Sequence, residues 1–175
     1  MMKRQIKVLV LAAGLVLFAI LIGTMLKISS VETTIFPQTL GDMDLKMYID
    51  GEEARQSVAQ LHSSGERVNP GEAYIARYRN YGTDPANMAD VWLSISDSDS
   101  SATSLVEIMT ARMSNGMMFT RPQVRNIDGQ TIYYTEGTGQ FHYYYAKDNK
   151  VVWIGLSNPD TAYQEKIILI ALDEI

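Results

Sequence analysis

Residues 8–26, VLVLAAGLVLFAILIGTML, run for 19 positions without a charged side chain. A helix of that length extends about 28 Å at ~1.5 Å per residue, close to the ~30 Å hydrocarbon thickness of a bilayer. The run therefore reads as a transmembrane helix, and every other segment has to be placed relative to it. Lys3, Arg4 and Lys7 precede it, and only Lys27 follows closely. Positive-inside bias then puts the N-terminus in the cytoplasm and the remainder of the chain outside. A cleaved signal peptide is the rival reading, but its apolar region is typically ~7–15 residues and ends in a small-residue cleavage site. Here Ile28-Ser29-Ser30 is a poor substitute, and no cysteine offers a lipid attachment point. The expectation is an uncleaved signal anchor in the cell membrane, residues 1–27. Because this span carries no ionisable residue, it anchors or docks and is not itself a transport path.

Residues 28–40 (ISSVETTIFPQTL) read as an extended stalk, since Pro37 discourages helix, and residues 41–175 as one extracytoplasmic domain. All 20 Asp and Glu lie after residue 31 but only 11 of the 15 Lys and Arg do, so this part carries a net charge of −9. An acidic body argues against nucleic acid, whose phosphates require a basic footprint. The absence of cysteine excludes disulfides, Cys-ligated zinc, iron–sulfur clusters and cysteine nucleophiles.

Period-two alternation marks strands at 43–50, 73–80, 89–96, 122–127, 130–136, 141–147 and 150–157. Helical segments are expected from Asp50 to about His62, over 100–115, and after Asn158-Pro159-Asp160. The order β-α-β-β-α-β-β-β-β-α predicts an α+β fold, a mostly antiparallel sheet with about three helices. VWLSISDSD (91–99) and VWIGLSNPD (152–160) align at an offset of 61 residues, which suggests two β-β-α units sharing that sheet.

Chemistry-bearing patterns are few. His62 and His142 are the only histidines, and no H-E-x-x-H, G-x-S-x-G or Gly-rich phosphate loop is present. DSDSSATSLVE (97–107) has Ala102 where a calcium loop needs Gly, and Ile108 follows where it needs Glu. Met109, Met113 and Met117 recur at helical spacing, as a core face does. No catalytic, cofactor-binding or metal-binding residue is predicted. Arg77 and Arg79 share one strand face and could hold an anion, solvation of both being the plainer reading. In FHYYYAKDNKVVWIGL (141–156), a two-residue turn at Asp148-Asn149 pairs Tyr143 with Ile154 and Tyr145 with Val152 on an apolar face. Tyr144 then opposes Trp153, and His142 opposes Gly155, on the other face. A turn at Gly137-Thr138 adds Tyr133 to that second face. Tyr133, His142, Tyr144 and Trp153 are thus a candidate platform, unless a helix covers them.

The stretches FPQTLGDMDL (36–45), GEEARQSVAQLH (51–62) and AYIARY (73–78) give the chain a pattern that resembles a loose group of membrane-anchored prokaryotic extracytoplasmic proteins to which no activity is assigned. That resemblance implies an architecture and no functional residues. The combined expectation is a non-catalytic accessory or assembly subunit of a larger membrane complex, a respiratory or ion-translocating electron-transfer complex being one setting. Its partners are the lipid bilayer and other membrane subunits. The alternative is an extracytoplasmic ligand-binding or sensory module holding a small molecule at the aromatic face or the arginine pair.

Overall fold

Sequence-local signals and long-range pairing divide the work of building this fold. The computed structural model describes residues 33–61, 71–114 and 118–175, all within the compact unit Val31–Ile175. The apolar run 8–26, His62 and Met117 lie outside the described residues, among which no helix is long and apolar enough to cross a membrane. The elements are β1 (Thr39–Leu40), β2 (Met43–Ile49), α1 (Gly51–Leu61), β3 (Glu72–Asn80), β4 (Asn87–Ile95), α2 (Asp99–Ser114), β5 (Gln123–Ile127), β6 (Gln130–Gly137), β7 (Gln140–Lys147), β8 (Lys150–Leu156) and α3 (Thr161–Glu174). The strands form one sheet in the order β1-β2-β3-β4-β8-β7-β6-β5, antiparallel throughout.

The expected α+β class is present, with one strand more than the alternation suggested. That strand, β1, is only two residues long, too short to show a period. Its neighbourhood also shortens the stretch read as a stalk: Phe36 and Leu40 are buried in the main core, and the Tyr78 hydroxyl donates to the Pro37 carbonyl at 2.9 Å. Residues 36–40 are built into the folded domain, Thr39–Leu40 as a strand, because two large apolar side chains there find a core to enter.

The last four strands form a meander made by local turn chemistry. Asp128 (φ 52°) and Gly129 (φ 78°) are both left-handed, the geometry a two-residue hairpin turn requires. The β6–β7 turn uses Thr138-Gly139, since Gly137 pairs with Gln140, one residue later than the expected Gly137-Thr138. A shift of that kind keeps the parity, so no side chain changes face. The β7–β8 register is the expected one, Lys147 opposite Lys150 through Phe141 opposite Leu156.

Alternation then sorts side chains between two faces. On the first, Tyr143, Tyr145, Val152, Ile154 and Leu156 pack with Ile167, Ile168 and Ala171 of α3. Asp160 caps α3, its carboxylate accepting from the Ala162 N–H at 2.9 Å, so Pro159 immediately precedes the cap. At the other end, Lys147 and Lys150 donate to the carbonyls of Leu172 and Ile175, placing two cations where the helix leaves its carbonyls unpaired.

On the second face α1 covers β3, with Ala54 and Val58 against Ala73 and Ile75. Helix α2 covers β7 and β8, with Ala102, Val106 and Met109 against Tyr144 and Val151. Between the helices, at the centre of the sheet, Trp92 of β4 and Trp153 of β8 are direct cross-strand partners. The antiparallel strands therefore bring the two VW segments side by side with only their tryptophans at matched positions, while the helices that follow them, α2 and α3, lie on opposite faces.

Candidate functional site

Tyr133, His142, Tyr144 and Trp153 do share the second face, because β6, β7 and β8 are consecutive in the sheet and in register there. Tyr144 is the middle ring of a stack, 5.2 Å from Tyr133 at 16° and 5.0 Å from Trp153 at 13°. His142 sits beside the stack with both ring nitrogens engaged. Its Nδ1 accepts from the Trp153 indole N–H at 3.0 Å, which leaves Nε2 to carry the proton and donate to the Gly137 carbonyl at 3.0 Å. The ring is therefore neutral in one tautomer. Burial pushes the His142 pKa down, against smaller upward pulls from the Gly137 carbonyl and the Asp90 charge.

The cover on this face comes from two places. From α2, Thr110 places its hydroxyl 3.0 Å from the Tyr144 hydroxyl, and burial pushes that phenol up to about 12. From the strap at 118–120, Phe119 meets His142 edge-on at 5.2 Å and Trp153 at 5.7 Å. The strap is fixed to β6: Phe119 bridges Gly137, the Thr120 N–H donates to the Glu136 carbonyl at 2.8 Å, and the Thr135 hydroxyl donates to the Thr120 carbonyl at 2.6 Å. Gly137 makes this crossing possible, since a Cβ there would lie 2.3 Å from Phe119 Cδ1. Consequently Tyr144 is 0% and His142 3% exposed, while Tyr133 and Trp153 are half-buried. The candidate platform exists as a cluster, but two of its four members are interior.

Arg77 and Arg79 lie on the same face, on β3, and the register sets Asp90 of β4 opposite Arg77. Arg79 Nη2 is 2.7 Å from Asp90 Oδ1, and its Nη1 donates to the carbonyls of Tyr78 and Ala89 at 2.7 and 3.1 Å. Arg79 is thereby committed to the fold. Arg77 approaches Asp90 only at 3.9 Å and keeps its side chain 46% exposed. Beside it stand Met47, its cross-strand partner on β2 and 41% exposed, and half-buried Trp92. Gln140 donates to the second Asp90 oxygen at 3.4 Å, tying this polar strip to the strand that carries His142.

A small open cleft at the start of α1 is lined by Glu52, Arg55, Glu72 and Tyr74 among others. Two pairs form within it, Arg55 with Glu52 and the Tyr74 hydroxyl with Glu72 at 2.6 Å, while the buried Arg55 Nε has no hydrogen-bond partner among the described residues. Among the described residues no three His, Asp or Glu side chains are grouped to hold a metal ion. Met109 is buried and Met113 half-buried against the α2 cluster, whereas Met118 is 68% exposed.

Sequence reasoning missed Phe119 and Asp90. Gly137 was the nearest signal for the first, but it reads as a turn residue until the register places it inside β6, where glycine marks a close backbone approach. For the second, the signal was the β3–β4 hairpin register, which places an acid opposite Arg77 and within reach of Arg79. No protein-family model matches this chain, and neither a curated protein nor a solved structure is significantly similar to it.

Proposed function

We propose that this chain is a non-catalytic, membrane-anchored accessory or assembly subunit of a larger membrane complex. Residues 1–27 act as a cytoplasmic tip and anchor, and the acidic α+β domain stands on the extracytoplasmic side. A respiratory or ion-translocating electron-transfer complex is one setting that suits a plain anchor joined to such a domain. The scaffold is read as two β-β-α units, on the strength of the Trp92–Trp153 pairing, and its architecture as that of the membrane-anchored prokaryotic group it resembles. The observation that carries the docking role is the shape of the second face. Its aromatic cluster is roofed by α2 and Phe119, and what stays open is Met47 and Arg77, bordered by half-buried Trp92 where it packs against the α1 cluster. A shallow strip with an apolar side chain, an aromatic and one exposed guanidinium suits a protein surface better than an enclosed small molecule.

Mild detergent extraction followed by mass spectrometry tests this reading. Other membrane subunits are expected to co-purify with the wild-type chain and to be lost with Arg77→Glu, whose melting temperature should stay within a degree or two because exposed substitutions rarely move stability far. A free wild-type monomer under those conditions would remove the basis of the proposal. The ligand-binding alternative rests on Arg77 alone, since Arg79 is saturated by its own neighbours.

A further inference from the structure

His142 is the member of the covered aromatic cluster whose charge can change near neutral pH. Its ring is held in opposite senses at its two nitrogens: Nδ1 accepts from Trp153 at 3.0 Å and Nε2 donates to the Gly137 carbonyl at 3.0 Å. A second proton can enter only at Nδ1, where it would meet the indole N–H donor to donor. The Trp153 bond must then break, and a cation is left in a site that is 3% exposed, which low dielectric disfavours. Both groups displaced by that event, the His142 ring and Trp153, are the ones Phe119 rests on. The charged group facing His142 from β4 is Asp90, itself held by Arg79 at 2.7 Å and approached by Arg77 at 3.9 Å. From β6, β7, β8 and the strap the neighbours are Gly137, Thr138, Gln140, Gly155, Trp153 and Phe119, none of which titrates near neutral pH. Nothing beside the ring therefore compensates an added proton except a carboxylate already paired elsewhere.

We propose that protonation of His142 releases Phe119 from the second face and uncovers Trp153 beside it, which makes the strap an acid-sensitive cover of that end of the aromatic row. Because burial lowers the His142 pKa from 6.5, the covered state is at full strength above that pH and weakens as pH falls through the lowered value.

The test follows the indole N–H resonances of Trp92 and Trp153 in the full chain from about pH 7.5 to about pH 4.5, with Trp92→Phe identifying Trp153. The Trp153 signal should shift with a midpoint below 6.5, accompanied by increased binding of a hydrophobic dye and an unchanged far-UV circular dichroism spectrum. His142→Asn supplies an oxygen that can accept the indole proton without titrating, and should abolish the transition. Phe119→Ala removes the cover and should bind the dye at neutral pH already, with the pH-dependent rise lost. The proposal is overturned by a Trp153 signal that stays flat, by the same transition in His142→Asn, by loss of circular dichroism at the same midpoint, or by a full dye response to pH in Phe119→Ala. Should His142→Asn fail to fold, the wild-type titration and Phe119→Ala decide the matter.

Discussion

Two tyrosines on one strand, pointing the same way, make opposite demands on the fold. The Tyr143 hydroxyl donates to Gln164 Oε1 at 2.6 Å and accepts from Arg125 at 3.0 Å. The Tyr145 hydroxyl, equally buried, has no hydrogen-bond partner among the described residues. A satisfied buried hydroxyl stabilises modestly, and removing it strands its partners, whereas deleting an unsatisfied one removes a desolvation cost. Tyr143→Phe is therefore predicted to destabilise by about 1–2 kcal/mol, a fall of several degrees in melting temperature. Tyr145→Phe is predicted to be neutral or to stabilise by up to about 1 kcal/mol. Thermal unfolding of both variants beside the wild type reads this out; a destabilised Tyr145→Phe would mean that the hydroxyl has a partner after all. The sequence placed both tyrosines on the core face through the Asp148-Asn149 turn. Their difference was not legible there, because Gln164 approaches from a helix 21 residues downstream and nothing local announces it.

At the scale of elements, one acidic side chain joins four of them. Asp42, in the β1–β2 turn, accepts from Asn80 of β3 at 2.7 Å, from Asn87 of β4 at 3.1 Å and from Tyr163 of α3 at 2.6 Å. Burial pushes its carboxyl up, but the bonds from Tyr163, Asn80 and Asn87 together hold it below its ordinary 3.8. A carboxylate depressed in the folded state contributes stability that is present above 3.8 and disappears as pH falls through the lowered value. Asp42→Asn should thus lower the melting temperature at neutral pH and flatten its decline below about pH 4, because an amide nitrogen in place of one carboxylate oxygen would face the Tyr163 hydroxyl or the two asparagine amides, and the side chain would no longer titrate. An acid limb as steep as that of the wild type would show that other carboxylates account for it. This clamp illustrates what the chain discloses about its elements. Hairpins and helices were readable from period and turn residues, all within a dozen positions of one another. The β4–β8 pairing, the side of the sheet that α3 covers, and the Asp42 clamp join residues that are far apart in sequence. Only the summed packing of apolar faces selects them. The Phe119 strap belongs to the same group: its anchor, Gly137, looked like a turn residue until the register moved the turn to Thr138-Gly139.

For the whole molecule, the charge distribution ties the fold to its proposed place. Lys3, Arg4 and Lys7 before the apolar run, against Lys27 alone close after it, favour the proposed cytoplasmic N-terminus with the domain outside. A chain without cysteine makes that orientation directly measurable, since any thiol introduced is the only one present. Tyr81 follows β3 and is 73% exposed, so Tyr81→Cys should neither disturb the core nor hide the thiol. With intact cells, a membrane-impermeant maleimide is expected to label Tyr81→Cys at the level seen after lysis. A second substitution, Gln5→Cys, lies before the apolar run and should label only once the membrane is opened. Labelling in the reverse pattern would place the acidic domain inside and would sink the accessory-subunit reading in its present form. The Met47–Arg77–Trp92 strip would then face a cytoplasmic partner. Equal labelling of both positions in intact cells would instead mean that the apolar run does not separate them. These outcomes bear on orientation alone, so the Arg77→Glu co-purification result keeps its own meaning, and the two measurements together separate where the domain stands from what it touches.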